Sequence, residues 1–107
     1  MAWVVDDSGS QTATVNTEHT LGTPTTIATY VLSVDTVNLV LGDTVEIRAY
    51  DMVDATNYRE AFKFTYEHAQ ARNGKVFPPI AVTTQAKFTL KQTAGTGRAF
   101  PWSIRRI

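Results

Sequence analysis

His19 and His68 are the only imidazoles in a chain of 107 residues that has no cysteine, so a general base or a nitrogen-ligated metal would have to start from one of them. Each follows a glutamate, Glu18 and Glu67. Adjacent residues on a strand point to opposite faces, so neither Glu-His pair can close on one ion, and no further ligand stands at a recognised spacing. Hydrogen bonding is the expected role of both. Asp51, Asp54 and Asn57 form the densest group of oxygen donors, with Asp6, Asp7, Asp35 and Asp43 scattered elsewhere. They lack the Asp-x-Asp-x-Asp-Gly order of a calcium loop and read first as turn formers. Gly95-Thr96-Gly97-Arg98 has the glycines of a phosphate loop, but neither the Lys-Ser/Thr nor the helix start that would hold an anion. No nucleophile stands with a base and no two carboxylates converge. The expectation is a protein that is not an enzyme and uses no cofactor or metal.

Aromatic residues offer the other familiar chemistry, stacking on sugar rings. Trp3, Tyr30, Tyr50, Tyr58, Tyr66 and Trp102 are the candidates, and most fall on inward faces by the alternation described next, where packing is their usual role. Trp3 and Tyr50 are the two expected at the surface.

The elements that would position these residues are strands. Seventeen threonines and a period-two pattern run through most of the chain. Residues 11–16 and 18–21 read as one strand or two short ones, broken by Gly22-Thr23-Pro24. In residues 26–34, Tyr30, Leu32 and Val34 share one face. The punctuated stretch from Asp35 to Asp43 suits a connection over the end of a sandwich, with Leu39 and Leu41 plugging the core. Residues 44–53 place Val45, Ile47 and Ala49 inward and Glu46, Arg48 and Tyr50 outward.

Tyr58, Phe62, Phe64, Tyr66 and His68 alternate with Arg59, Lys63, Thr65 and Glu67, an inward face interrupted only by Glu60. Asn73-Gly74 suits a type I′ hairpin turn. Pro78-Pro79 limits residues 76–82 to an edge strand or a crossing between sheets. Residues 86–93 turn Phe88 and Leu90 inward, and residues 99–107 do the same with Phe100, Trp102 and Ile104. The fold class is all-β, a single antiparallel β-sandwich of about seven or eight strands, jelly-roll-like or immunoglobulin-like. Residues 12–107 form the sandwich domain, and residues 1–11 are an N-terminal arm or the first strand.

Ten basic residues balance ten acidic ones. The basic residues are dispersed, so no field attracts nucleic acid or an anionic membrane. No run approaches the length needed to span a bilayer, and the start lacks the pattern of a secretory signal. Synthesis in a cytoplasm is expected.

Three segments carry a family resemblance: Thr17-Glu18-His19-Thr20-Leu21, Leu41-Gly42-Asp43-Thr44-Val45-Glu46, and Lys91-Gln92-Thr93-Ala94-Gly95-Thr96-Gly97-Arg98-Ala99-Phe100-Pro101-Trp102. Together they resemble small virion proteins of tailed bacteriophages, of the head-decoration or cement type, with the sharpest likeness in the last dozen residues. The resemblance implies a capsid-surface protein that bridges and stabilises major capsid subunits and associates with itself in the capsid lattice. Under that reading Trp3, Val4 and Val5, tethered by Asp-Asp-Ser-Gly-Ser, are the first candidates for the capsid contact. Arg98, Arg105 and Arg106 are the second, positioned to meet capsid carboxylates. The alternative on the same fold is a host-recognition or carbohydrate-binding module of a phage tail or fibre.

Overall fold

The computed structural model describes residues 2–107. The alternating segments there become nine strands: β1 (Val4–Thr12), β2 (Glu18–Gly22), β3 (Ala28–Asp35), β4 (Thr44–Asp51), β5 (Arg59–Glu67), β6 (Gly74–Val76), β7 (Ile80–Val82), β8 (Ala86–Ala94) and β9 (Ala99–Arg106). All pairings are antiparallel. One sheet runs β1-β9-β3, with β6 and β7 both paired to the far side of β3, and the other runs β2-β8-β4-β5. β4 and β5 form a hairpin within one sheet; β6 and β7 are likewise successive in the chain and share a sheet. Every other connection crosses between the sheets.

That order is the interlocked arrangement of an eight-stranded double-sheet jelly roll, in which two Greek keys are wound together. The ninth strand arises because Pro78-Pro79, lacking amide donors, splits the sixth strand into β6 and β7.

Alternation places the core as the sequence implies. Tyr30, Leu32 and Val34 from β3, Val45, Ile47 and Ala49 from β4, Phe88 and Leu90 from β8, and Phe100 and Ile104 from β9 are all buried between the sheets. Trp102 is half-buried at the rim and packs over Gly9, whose missing side chain leaves the indole in close contact with the β1 backbone.

Five expectations are corrected. Residues 6–10 are not a linker but the body of β1, paired with β9 from Val4↔Arg106 to Thr12↔Ala99, with a register shift beside Asp6. Residues 13–16 form a turn, because the chain must leave one sheet for the other there. Leu39 plugs the core, but Leu41 is 84% exposed at the tip of the connection. Asn73-Gly74 makes no type I′ hairpin, since β5 and β6 lie in different sheets and neither residue has positive φ.

The fifth concerns β5. Ala49 pairs with Phe62 and Tyr50 with Glu60, leaving Ala61 as the extra residue of a bulge. A bulge shifts the parity of everything before it. Glu60 therefore joins the outer face beside Tyr50, and Tyr58 goes with it. The single exception in the alternating pattern marks this irregularity.

Two buried polar side chains close one end of the sandwich. Gln92 continues the inward parity of Phe88 and Leu90 and is fully buried. Its amide nitrogen donates to the carbonyls of Ala94 (2.9 Å) and Thr96 (2.7 Å), and its oxygen accepts the Arg98 N–H (3.0 Å). Asp43, also buried, accepts the N–H groups of Val40 (3.0 Å) and Thr96 (3.3 Å) and the Arg98 Nε–H (2.8 Å). Burial pushes the Asp43 carboxyl up, but the Arg98 hydrogen bond, the two backbone N–H groups and the Arg98 charge outweigh it and hold it below the ordinary aspartate value.

Gly95 has a φ of 87°, and a Cβ there would overlap Asp43. Gly42 has a φ of 95° but open space around it. Both Gly→Ala substitutions carry the left-handed backbone penalty of roughly 1–3 kcal/mol. Gly95→Ala adds the steric overlap, so its denaturant midpoint is expected to fall clearly below that of Gly42→Ala; equal midpoints would refute the packing of this turn against Asp43. A depressed carboxyl also contributes stability that is complete above the unfolded aspartate pKa of about 4 and is lost as pH falls through the lower folded value. Asp43→Asn should cost about 3 kcal/mol at neutral pH and flatten the loss of stability below pH ~4, measured by urea unfolding across an acid series.

Candidate functional site

The terminal corner and the outer face of the β2-β8-β4-β5 sheet hold the residues with functional potential. At the corner, the start of β1 lies beside the end of β9. Trp3 is 47% exposed, Val4 48% and Val5 62%. Val5 pairs directly with Arg105, which on its other side pairs with Val31 of β3. Directly opposed residues share a face, so Val5, Arg105 and Val31 form one outward row. Ile27, just before β3, adds a further exposed apolar side chain at the same end.

The three arginines part company. Arg105 is exposed and makes no ion pair among the described residues, which leaves its guanidinium open to a partner. Arg106 sits 3.0 Å from Asp6. Arg98 is spent on Asp43 at the opposite end of the sandwich, far along the strand from Arg105. This pairing is internal, because a buried aspartate needs a compensating charge.

The outer face of the second sheet carries a groove of about 380 Å³ lined by Glu18, Thr20, Tyr50, Tyr58, Lys87 and Thr89. The Glu18 Oε2 accepts the hydroxyls of Tyr50 and Thr89, each at 2.7 Å. Arg48 lies between three carboxylates, Glu46 at 2.8 Å, Glu60 at 3.0 Å and Glu18 at 3.6 Å. The Lys87 Nζ lies 4.8 Å from the Tyr50 ring centroid and 4.7 Å from that of Tyr58. Burial pushes Glu18 up, and the Thr89 and Tyr50 hydroxyls with the charges of Arg48 and Lys87 bring it below the usual glutamate value. Burial, then the hydrogen bond and charge of Glu18, raise the Tyr50 phenol.

This face can offer hydroxyls, an ammonium and a carboxylate to a polar ligand. The facing sides of Tyr50 and Tyr58 are occupied by Lys87, so the rings are not an open stacking platform as they stand.

The remaining candidates take structural roles. The His19 Nε2 accepts the Thr14 N–H at 3.0 Å and the His68 Nδ1 accepts the Gly42 N–H at 2.9 Å. Asp54 accepts the N–H groups of Thr56 and Asn57 and the Asn57 amide, which push its carboxyl down to about 2. That is a turn. Among the described residues no group of three or more His, Asp or Glu side chains is placed to hold a metal ion.

Sequence reading missed the groove as a unit. Tyr50, Lys87 and Thr89 all have outward parity in it, but their adjacency depends on the order β2-β8-β4, and Tyr58 joins them through the bulge at Ala61. No family model, curated protein or solved structure matches the chain.

Removing the Glu18 charge should let the Tyr50 phenol ionise at lower pH, back toward the ordinary tyrosine value, while burial keeps it somewhat above. Ultraviolet titration of Glu18→Gln against the parent chain reads this shift; coincident titration curves would show that the Tyr50–Glu18 bond does not persist in solution.

Proposed function

We propose that this chain is a non-enzymatic structural protein of a tailed-bacteriophage virion, a capsid decoration protein that bridges and stabilises major capsid subunits on the particle surface. The observation that carries the reading is the terminal strand. Eight of the nine residues of β1 are exposed, and none belongs to the buried core, which begins at Ala13. A strand so placed lends no side chain to that core and presents Val5 in register with the open charge of Arg105, with Trp3 and Val4 exposed next to it. Exposed aromatic and aliphatic anchors next to an arginine suit a protein partner better than solvent.

The resemblance of Lys91–Trp102 and the two shorter segments to phage head-decoration proteins supplies the kind of partner. Double-sheet jelly rolls serve in viral capsids and in lectins alike, so topology supports either use and the surfaces must decide. A lattice multiplies weak contacts, so a small corner suffices where a free monomer would need a larger one.

The groove around Glu18 favours a second reading, a host-recognition or carbohydrate-binding module of a tail or fibre. Its hydroxyls, carboxylate and ammonium are the groups that bind sugar hydroxyls.

The two readings separate in one experiment. The purified chain is co-sedimented with empty, expanded heads of its own phage, and saturation is expected on the order of hundreds of copies per head. Trp3→Ala with Val5→Ser should reduce bound copies at least tenfold, whereas Tyr50→Ala with Lys87→Ala should leave them unchanged. Binding of a dozen copies or fewer, or loss with the groove variant alone, would overturn the decoration reading.

A further inference from the structure

The two sides of the sandwich are finished differently. On one side β1 and β2, joined by a short turn, bring the two sheets together. On the other, β5 ends its sheet with a nine-residue edge that no strand among the described residues covers. Its inner-face residues are aromatic: Phe62 and Tyr66 are half-buried and Phe64 is 37% exposed. Behind them Phe77, arriving between β6 and β7, lies 6.1, 5.5 and 6.2 Å from the rings of Phe62, Phe64 and Tyr66. Lys75 adds its ammonium over Tyr66 at 4.7 Å. The rings are backed from within and open along the edge.

Exposed edges are normally blunted by proline, by a bulge or by a very short strand. In β5 the bulge lies at Ala61, before the aromatics, and residues 62–67 run regularly without proline or glycine. The only positive charge among those six is Lys63, on the outer face.

We infer that β5 is a self-association edge, which pairs antiparallel with β5 of a second copy about a two-fold axis through Phe64. The occupant follows from the residue pattern. Opposed residues must share a face, which restricts the register to even steps. Centring on Phe64 sets Phe64 against its own copy and Phe62 against Tyr66 of the second copy, so all three rings meet rings. On the outer face it sets Lys63 against Thr65 and Ala61 against Glu67.

No residue then directly opposes its own charge, and aromatic cross-strand pairs are among the stabilising ones. One step earlier would set Lys63 against Lys63. One step later would set Phe62 against His68, where the chain has already left the strand with a φ of 62°. The resulting interface is isologous and continues the β2-β8-β4-β5 sheet into its copy. The proposal concerns the isolated chain and stands apart from the capsid reading, although a lattice protein would have use for it.

Sedimentation of the purified chain over a concentration series should show a monomer–dimer equilibrium, with Phe64→Lys raising the dissociation constant at least tenfold. The absence of native cysteine allows a second test that leaves the aromatic face intact. In this register Lys63→Cys combined with Thr65→Cys places cysteines directly opposite and should cross-link rapidly into a covalent dimer under mild oxidation, while each single variant keeps the equilibrium but forms little covalent dimer. A chain that is monomeric at every concentration, a dimer indifferent to Phe64→Lys, or single variants that cross-link as fast as the pair would overturn the proposal.

Discussion

The buried carboxylate of Asp43 and the buried amide of Gln92 hold the end of the sandwich through which most of the crossovers pass. A jelly roll threads its chain between two sheets at nearly every connection, and each crossing leaves backbone N–H and C=O groups without ladder partners. At this end the two side chains take up five donors or acceptors of the Ala94–Arg98 turn. Their own backbones serve the neighbouring loops: the Asp43 carbonyl accepts the His68 N–H at 2.9 Å, and the Gln92 carbonyl accepts the Asn16 N–H at 2.7 Å. Removing either side chain would leave unpaired polar atoms in a dry place, where each costs about 1–3 kcal/mol.

The same network draws three segments of the chain together. Thr17–Leu21, Leu41–Glu46 and Lys91–Trp102 lie far apart in the chain and meet here. Glu18 pairs with Lys91, Asp43 binds Arg98 and Thr96, and Gln92 binds the turn that follows it. Glycine at positions 95 and 97 allows the turn to approach Asp43 and the Ala13 carbonyl closely. These segments therefore carry residues that the fold itself requires, and the exposed surfaces lie elsewhere: at the terminal corner, on the charged outer face, and along β5.

Those surfaces differ in how far they were legible. Trp3, Val4 and Val5 stand out in the sequence because three large apolar residues precede a polar run; that Val4 and Val5 begin a strand paired with β9 was one of two readings left open. Arg98 could not be separated from Arg105 and Arg106 by sequence, since its fate depends on a carboxylate 55 positions away. The groove around Glu18 joins β2, β4 and β8 with the segment before β5, and only their order in the sheet makes these residues neighbours. Phe62, Phe64 and Tyr66 were readable as an inward face; that this face borders an open edge was not.

Local chemistry settles the secondary structure, because a period of two is written directly into side-chain alternation and prolines and glycines mark where ladders must stop. Periodicity along the chain is thus enough for an all-β sandwich, most of its core residues and the break at Pro78-Pro79. Strand order, the parity change at Ala61, the internal engagement of Arg98 and the exposed flank of β5 were decided only by the tertiary structure. Each of these depends on contacts between segments distant along the chain, and alternation within a strand carries no information about which strand lies beside it.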